Sequence, residues 1–359
     1  MTSNDLLMTN NELTIGIIGE GKMGTNLFYY ILDFGFKLVW LCNPAADNGK
    51  IRNAFQKKIK RSFDNGLIDE QRLSFLQNNI VISADHTVLS TCDLIIEAIP
   101  EDLELKKEFF REIDPVVSGN CILASNSSSI RPSELIPAEA RKDKFIGIHF
   151  FYPIALKNIV EFIKTADTSG KTRDFVKYFL HTIRRNYLIL NEKDSFILNK
   201  IFLDFQNEAF LIVREGKISF PQMDAVVKHF FFPVGVFEFF DSVGIDTMLT
   251  SIRNYIRGYP HEDYYKPLIE KLESMIGEGK TGQKSQSGFY GYPKENDDLD
   301  IVFLKNPDIQ PLIEDTVKRL NFSYFSSAKR YTIQSKYTPE KINNALKEYF
   351  GIEKGPFTL

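Results

Sequence analysis

The chain is poor in cysteine, has no long apolar run and carries little net charge, and each shortage removes a class of protein. Its three cysteines, Cys42, Cys92 and Cys121, are odd in number, scattered, and set in or beside apolar segments. They read as buried free thiols in a reducing compartment, not as a disulfide framework. No CxxC or paired-histidine spacing occurs, so no metal site is expected. No apolar stretch approaches the ~20 residues of a membrane span. Residues 1–12 are polar and lack the core of a signal peptide, which makes a cytoplasmic protein the expectation. With 44 basic against 47 acidic residues the net charge is -3, and neither nucleic acid nor a membrane surface is expected as a partner. What is present is ordinary for a globular protein: 43% hydrophobic and 25% charged residues over 359 positions, enough for two or three domains with a normal core.

The first half alternates. Short runs rich in Ile, Val, Leu and Phe fall at 13–18, 37–41, 80–82, 93–98, 121–125 and 145–149, with longer charged segments of helical spacing between them, such as 103–113. Buried strands alternating with amphipathic helices predict a parallel, doubly wound sheet. Further strands are expected at 160–163 and 187–190 around a helix at 171–185, and the insertion 49–78 reads as a helical pair. From Ser195 onward the pattern is helical: 196–215, 221–230, 233–256 and 265–276, followed by a glycine-aromatic loop through 279–292. The expected division is an α/β domain over 1–194, an all-α domain over 195–292 and an extension over 293–359. One stretch echoes another: 223–237 lines up with 342–357, placing Phe230 on Phe350, Gly235 on Gly355 and Phe237 on Phe357. This suggests that the extension is a degenerate, truncated second copy of part of the helical domain.

Gly19-x-Gly21-x-x-Gly24 follows a predicted strand and opens a helix. In that context the first glycine allows a tight turn, the second lets backbone approach a pyrophosphate, the third lets helix and strand pack closely, and the helix N-terminus attracts the anion. Lys22 and Met23 lie within this turn. An acid that would hold the adenine ribose is missing at the end of the second strand, where the chain reads Cys42-Asn43-Pro44. Asn43 can hydrogen-bond a hydroxyl, while Lys50 or Arg52 could neutralise a 2′-phosphate. NAD and NADP both remain open as cofactor, as does loss of cofactor affinity.

His149 ends a predicted strand, at the edge where such sheets bind ligands. Histidine titrates near neutrality and suits a base that takes a hydroxyl proton as hydride leaves carbon. Glu161, twelve positions later, sits in an apolar stretch where an unpaired carboxylate would be costly, and His149 is the nearest suitable partner in sequence. The alternative is a satisfied core histidine and an edge-strand charge. Ser127, Ser128 and Ser129 follow another strand; their hydroxyls could hold a substrate oxygen or cap a helix near 132–135, a role open to Ser133 as well. Asn199 lies one turn into a mostly apolar helix, where a polar role is plausible.

At these residues the chain resembles the L-3-hydroxyacyl-CoA dehydrogenase family. The match runs from the glycine turn through Ile96-Glu-Ala-Ile-Pro-Glu101, Ala124-Ser-Asn-Ser-Ser-Ser129, Gly147-Ile-His-Phe-Phe-Tyr-Pro153, Ile159-Val-Glu161 and Phe196-Ile-Leu-Asn-Lys200 to Gly288-Phe-Tyr290, in order and at the right spacing over roughly 13–292. The resemblance implies a Rossmann-like domain with a helical domain that usually dimerises, an acyl-CoA substrate and a nicotinamide cofactor. It implies His149 as catalytic base, Glu161 as its partner, and Ser128 and Asn199 as substrate contacts. Glu101 and Lys106 fall near the nicotinamide ribose, and Asn126 falls in the matched serine motif on the cofactor side. The basic segment 50–61 falls where such enzymes meet the coenzyme A nucleotide. Departures stand at Cys42 for the ribose-binding acid, Tyr152 for an asparagine, Lys200 for an arginine, and 194–195 for a proline-glycine turn; Arg319 lies near the position that would mirror Asn199. Two rivals follow: a dehydrogenase of a free 3-hydroxy acid, and a non-catalytic relative that kept the fold.

Overall fold

The computed structural model describes residues 12–257, 261–293 and 303–358. The N-terminal stretch 1–11 and the first part of the extension, 294–302, lie outside the described residues. The chain divides into two compact units, residues 1–195 and 196–359.

The first unit is an eight-stranded sheet in the order β3-β2-β1-β4-β5-β6-β7-β8. Along the chain it reads β1 (Thr14–Ile18), α1 (Lys22–Ile31), β2 (Lys37–Leu41), α2 (Asn48–Asp64), α3 (Glu70–Asn79), β3 (Ile80–Ser83), β4 (Leu94–Glu97), α4 (Leu103–Ile113), β5 (Ile122–Ser125), β6 (Phe145–Phe150), β7 (Ile159–Lys164), α5 (Gly170–Thr182) and β8 (Asn186–Asn191). Central strands are apolar throughout because both faces are covered. On one face Ile15, Ile17, Phe28 and Trp40 share a core; on the other Ile18, Val39, Leu41 and Phe110 share a second. Aspartates set three helix starts: Asp47, Asp69 and Asp102 accept the backbone N–H of Lys50, Arg72 and Leu105 at 2.9, 2.7 and 2.8 Å.

The expected all-parallel sheet needs one correction. β7 runs antiparallel to β6, and β8 is parallel to β7. The connection over 151–158 is too short for a crossover, which takes about a dozen residues or more. The reversal decides the site, since it pairs His149 directly with Glu161 in the ladder.

The second unit is helical: α6 (Ile197–Arg214), α7 (Phe220–Phe230), α8 (Val236–Val243), α9 (Ile245–Ile256), α10 (Lys266–Gly277), α11 (Gln310–Ser335) and α12 (Pro339–Phe350). The single helix expected over 233–256 is two, broken at Gly244, whose φ of 104° leaves the helical region. The extension belongs to this unit, with α11 packed along α6. Asp204 of α6, buried, accepts from Tyr265, Ser327 and Arg330, and Arg319 of α11 reaches Glu208 and Glu215 of α6 at 2.8 and 2.6 Å. The echo in the sequence corresponds to a recurring geometry. The carboxylate of Asp224 in α7 accepts the backbone N–H of Phe237 at 3.0 Å, and the amide oxygen of Asn343 in α12 accepts that of Phe357 at 3.1 Å.

Candidate active site

The glycine turn is held from two sides. Gly19 leaves β1 with φ of 100°, its N–H donates to the Leu41 carbonyl at 2.9 Å, and its own carbonyl accepts the indole N–H of Trp40 at 2.9 Å. Trp40 is in turn stacked on Phe28, with ring centroids 4.3 Å apart. A Cβ on Gly24 would come within 2.1 Å of the Gly19 carbonyl oxygen, so this approach of α1 to the turn requires glycine. Beside Gly21 no atom lies within 4 Å of where a Cβ would stand, and the first turn of α1 carries no acid. An open helix N-terminus of this kind suits a pyrophosphate. The turn, with Lys22, Met23, Cys42 and Asn43, lines a cavity of about 560 Å³. Asn43 is exposed; its side-chain oxygen accepts the Ala45 N–H at 2.8 Å, and its backbone N–H donates to Glu20 at 2.9 Å. Arg52 donates to the Ile82 carbonyl at 2.9 Å.

A second cavity, of about 180 Å³, adjoins the first through Met23, Ala98 and Ile99 and brings together Met23, Glu101, Lys106, Asn126, Ser128 and His149. His149 and Glu161 are both buried, with Nδ1 2.9 Å from a Glu161 carboxylate oxygen. An ionised carboxylate only accepts, so Nδ1 carries the proton and Nε2 is the basic nitrogen of the neutral ring. Asn126 is tied to β6 by accepting the Phe150 N–H at 2.8 Å through its side-chain oxygen.

The three serines separate into two kinds. Glu101 accepts the hydroxyls of Ser127 and Ser129 at 2.6 and 2.8 Å and the backbone N–H groups of Ser128 and Ser129 at 3.0 Å. Ser127 and Ser129 are buried and spent on the loop. Ser128 is half-buried, its hydroxyl is 3.4 Å from Glu101, and it faces the smaller cavity. None caps the short helical turn Pro132–Glu134, which starts from Arg131 with no side-chain cap. Burial raises the Glu101 pKa, but the Lys106 ammonium and the Ser127 and Ser129 donors outweigh it and hold the carboxyl below its ordinary range.

Beneath this loop lies a residue that the sequence reading did not single out. Glu97, fully buried, accepts from Lys106 Nζ at 2.5 Å, from the Ile99 N–H at 2.7 Å and from the Ser125 hydroxyl at 2.6 Å. Its signal was available, a carboxylate closing the apolar strand Leu94-Ile-Ile-Glu97, the same reasoning that picks out Glu161. Asn199 stands in the helical unit, half-buried, where its amide donates to the Tyr255 hydroxyl and its oxygen accepts from the Tyr349 hydroxyl, both at 2.9 Å. Tyr152 is about half exposed. Among the described residues no cluster of His, Cys, Asp or Glu could hold a metal ion, and no helix is long and apolar enough to cross a membrane.

Comparison with known proteins gives a consistent result. The sequence model described as the 3-hydroxyacyl-CoA dehydrogenase NAD binding domain matches residues 14–193, and the one described as the C-terminal domain of the same family matches residues 196–292. The chain is 30% identical over 288 residues to mitochondrial hydroxyacyl-coenzyme A dehydrogenase from Sus scrofa, covering 77% of this chain and 90% of that protein. It is 31% identical over 283 residues to a 3-hydroxybutyryl-CoA dehydrogenase from Bradyrhizobium diazoefficiens, covering 77% of this chain and 94% of that one. The solved structure of 3-hydroxybutyryl-CoA dehydrogenase from Escherichia coli superimposes with a TM-score of 0.77 over 96% of this chain and 90% of that chain, at 16% identity, a likeness of fold.

Proposed function

The chain belongs to the 3-hydroxyacyl-CoA dehydrogenase family, and from that premise we propose that it interconverts (S)-3-hydroxyacyl-CoA and 3-oxoacyl-CoA, with His149 as the base and acid. The observation that carries this reading is the buried His149–Glu161 pair at 2.9 Å, lining a cavity that adjoins the one around the glycine turn.

The residues present fit a nicotinamide dinucleotide: a glycine turn that a Cβ would fill and an open helix N-terminus. When bound, that cofactor accepts or supplies the hydride. The turn and α1 hold the pyrophosphate, with Lys22 beside it. Lys106, Glu101 and Asn126 position the nicotinamide ribose. His149 takes the proton of the 3-hydroxyl at Nε2 in oxidation and returns it in reduction, and Glu161 stabilises the imidazolium and holds the ring. Ser128 and Asn199 orient the reacting oxygen. The segment 50–61, basic and mostly exposed on α2, meets the coenzyme A nucleotide. We further propose a cytoplasmic protein that forms a homodimer through its helical unit, the dimer being tested by sedimentation equilibrium.

The decisive experiment is reduction of acetoacetyl-CoA by the purified protein with reduced dinucleotide, alongside His149→Gln. Turnover that falls by ~10²-fold or more in the variant, with folding retained, is expected. A variant that turns over normally overturns the assignment of His149. Inhibition by free coenzyme A is expected; its absence, with turnover of a free 3-hydroxy acid, would favour the rival substrate class.

A further inference from the structure

We propose that Glu20 selects NAD over NADP by supplying, from the glycine turn, the carboxylate that the end of β2 lacks. The inference rests on the reading of the chain as a nicotinamide-dependent dehydrogenase.

In doubly wound folds an acid at the end of the second strand accepts hydrogen bonds from the adenine ribose. Here β2 ends at Leu41 and runs into Cys42-Asn43-Pro44, without an acid. Glu20 occupies the variable position between the first two glycines of the turn, and its side chain crosses to the strand end. There one carboxylate oxygen accepts the backbone N–H of Asn43 at 2.9 Å. The negative charge is felt at the same spot: the Cys42 thiol is pushed up to about 12, first by burial and then by Glu20. Glu20, Cys42, Asn43 and Pro44 line the same cavity as Gly19 and Gly21.

A carboxylate offers about four acceptor sites, and the Asn43 N–H uses one. Among the described residues no other hydrogen bond to the Glu20 carboxylate is formed, the Thr25 hydroxyl donating instead to the Glu20 backbone carbonyl at 3.0 Å, so the carboxylate keeps the capacity to accept from both ribose hydroxyls. The same charge repels a 2′-phosphate. The usual acid has therefore moved from the strand to the loop while its charge stays at the strand end.

The test is equilibrium binding of NADH and NADPH to the full chain by titration calorimetry, with the quenching of its single tryptophan, Trp40, as a second readout. Wild type is expected to bind NADH at least about 100-fold more tightly than NADPH. Glu20→Gln is expected to shrink that ratio by about tenfold or more, chiefly by tightening NADPH. Adding Asn43→Asp to Glu20→Gln is expected to restore the ratio, since aspartate keeps the acceptor that holds the Ala45 N–H and returns a carboxylate to the strand end. Equal binding of both dinucleotides by wild type, a preference for NADPH, or a ratio indifferent to Glu20→Gln overturns this inference alone. Binding of neither dinucleotide by folded protein overturns the dehydrogenase reading and this inference with it.

Discussion

The hydroxyl of Tyr349, in the last helix of the chain, donates to the side-chain oxygen of Asn199 at 2.9 Å. The other end of the same amide donates to Tyr255 at 2.9 Å. The two tyrosines fix which way the amide faces, and one of them comes from the extension beyond the residues that match the family. If Asn199 orients the substrate oxygen, the extension positions it. Tyr349→Phe keeps the ring against Phe350, with centroids 4.5 Å apart, and removes only the donor. We expect kcat to fall about 3- to 10-fold, the worth of one hydrogen bond, with little change in unfolding midpoint. In an Asn199→Ala background the same change should do nothing more to kcat. Additive losses in the double variant would show that Tyr349 acts elsewhere.

Glu97 and Lys106 form an ion pair that is almost completely excluded from water. Removing Glu97 leaves the buried Lys106 ammonium with Glu101, at 3.4 Å, as its remaining carboxylate. Glu97→Ala is expected to cost about 1–3 kcal/mol of unfolding free energy, measured by urea denaturation, since the Ile99 N–H and the Ser125 hydroxyl lose their acceptor and Lys106 its nearer partner. Lys106→Met in that background should recover little of it, because the ammonium is then lost to Glu101 as well. A Glu97→Ala variant as stable as wild type would mean that Glu101 alone satisfies the buried ammonium.

These two predictions draw on residues of unequal legibility. The central strands could be read because they are buried on both faces and therefore apolar throughout; β2 falls at the expected bounds. Glu161 stood out as a carboxylate in an apolar run. Glu97 carried the same signal, but its partner comes from α4 and the serine from β5, and only the fold brings those together. Ser127, Ser128 and Ser129 are indistinguishable as letters; the Glu101 carboxylate sorts them into two held hydroxyls and one facing a cavity. The reversal of β7 was implied by the short 151–158 connection. Glu20 was opaque because a glycine motif treats its position as variable, and its meaning lies in where the side chain reaches.

Glu101 ties the serine loop to Lys106, and its pKa is held below the ordinary value. A depressed carboxylate contributes stability above its unfolded pKa, about 4.3, and that contribution is lost as pH falls through the lower folded value. Glu101→Gln should therefore narrow its stability deficit against wild type as pH drops below about 4, followed by circular dichroism in urea. A deficit that stays constant from pH 7 down to acid unfolding would show that the carboxylate is not charged in the fold.

Asp224 presents the opposite sign, and the chain contains its own control. This carboxylate is fully buried; desolvation raises its pKa to about 6, against the lowering effect of the Tyr290 hydroxyl and the Phe237 and Glu238 N–H groups. A group whose folded pKa is raised contributes stability below its unfolded pKa, about 3.8, and loses it as pH rises through about 6. In the echoed segment Asn343 makes the corresponding bond to Phe357 with a neutral amide, so the geometry does not need a charge. Asp224→Asn places its side-chain NH2, a donor, beside the Glu238 N–H and the Tyr290 hydroxyl, a cost that is the same at every pH. The difference in unfolding free energy between variant and wild type should then move in favour of the variant between pH 4 and 7 by up to about 3 kcal/mol. Urea unfolding at intervals across that range measures it. A difference that stays flat or moves the other way would mean that Asp224 is already ionised at low pH, held so by its three donors in spite of its burial.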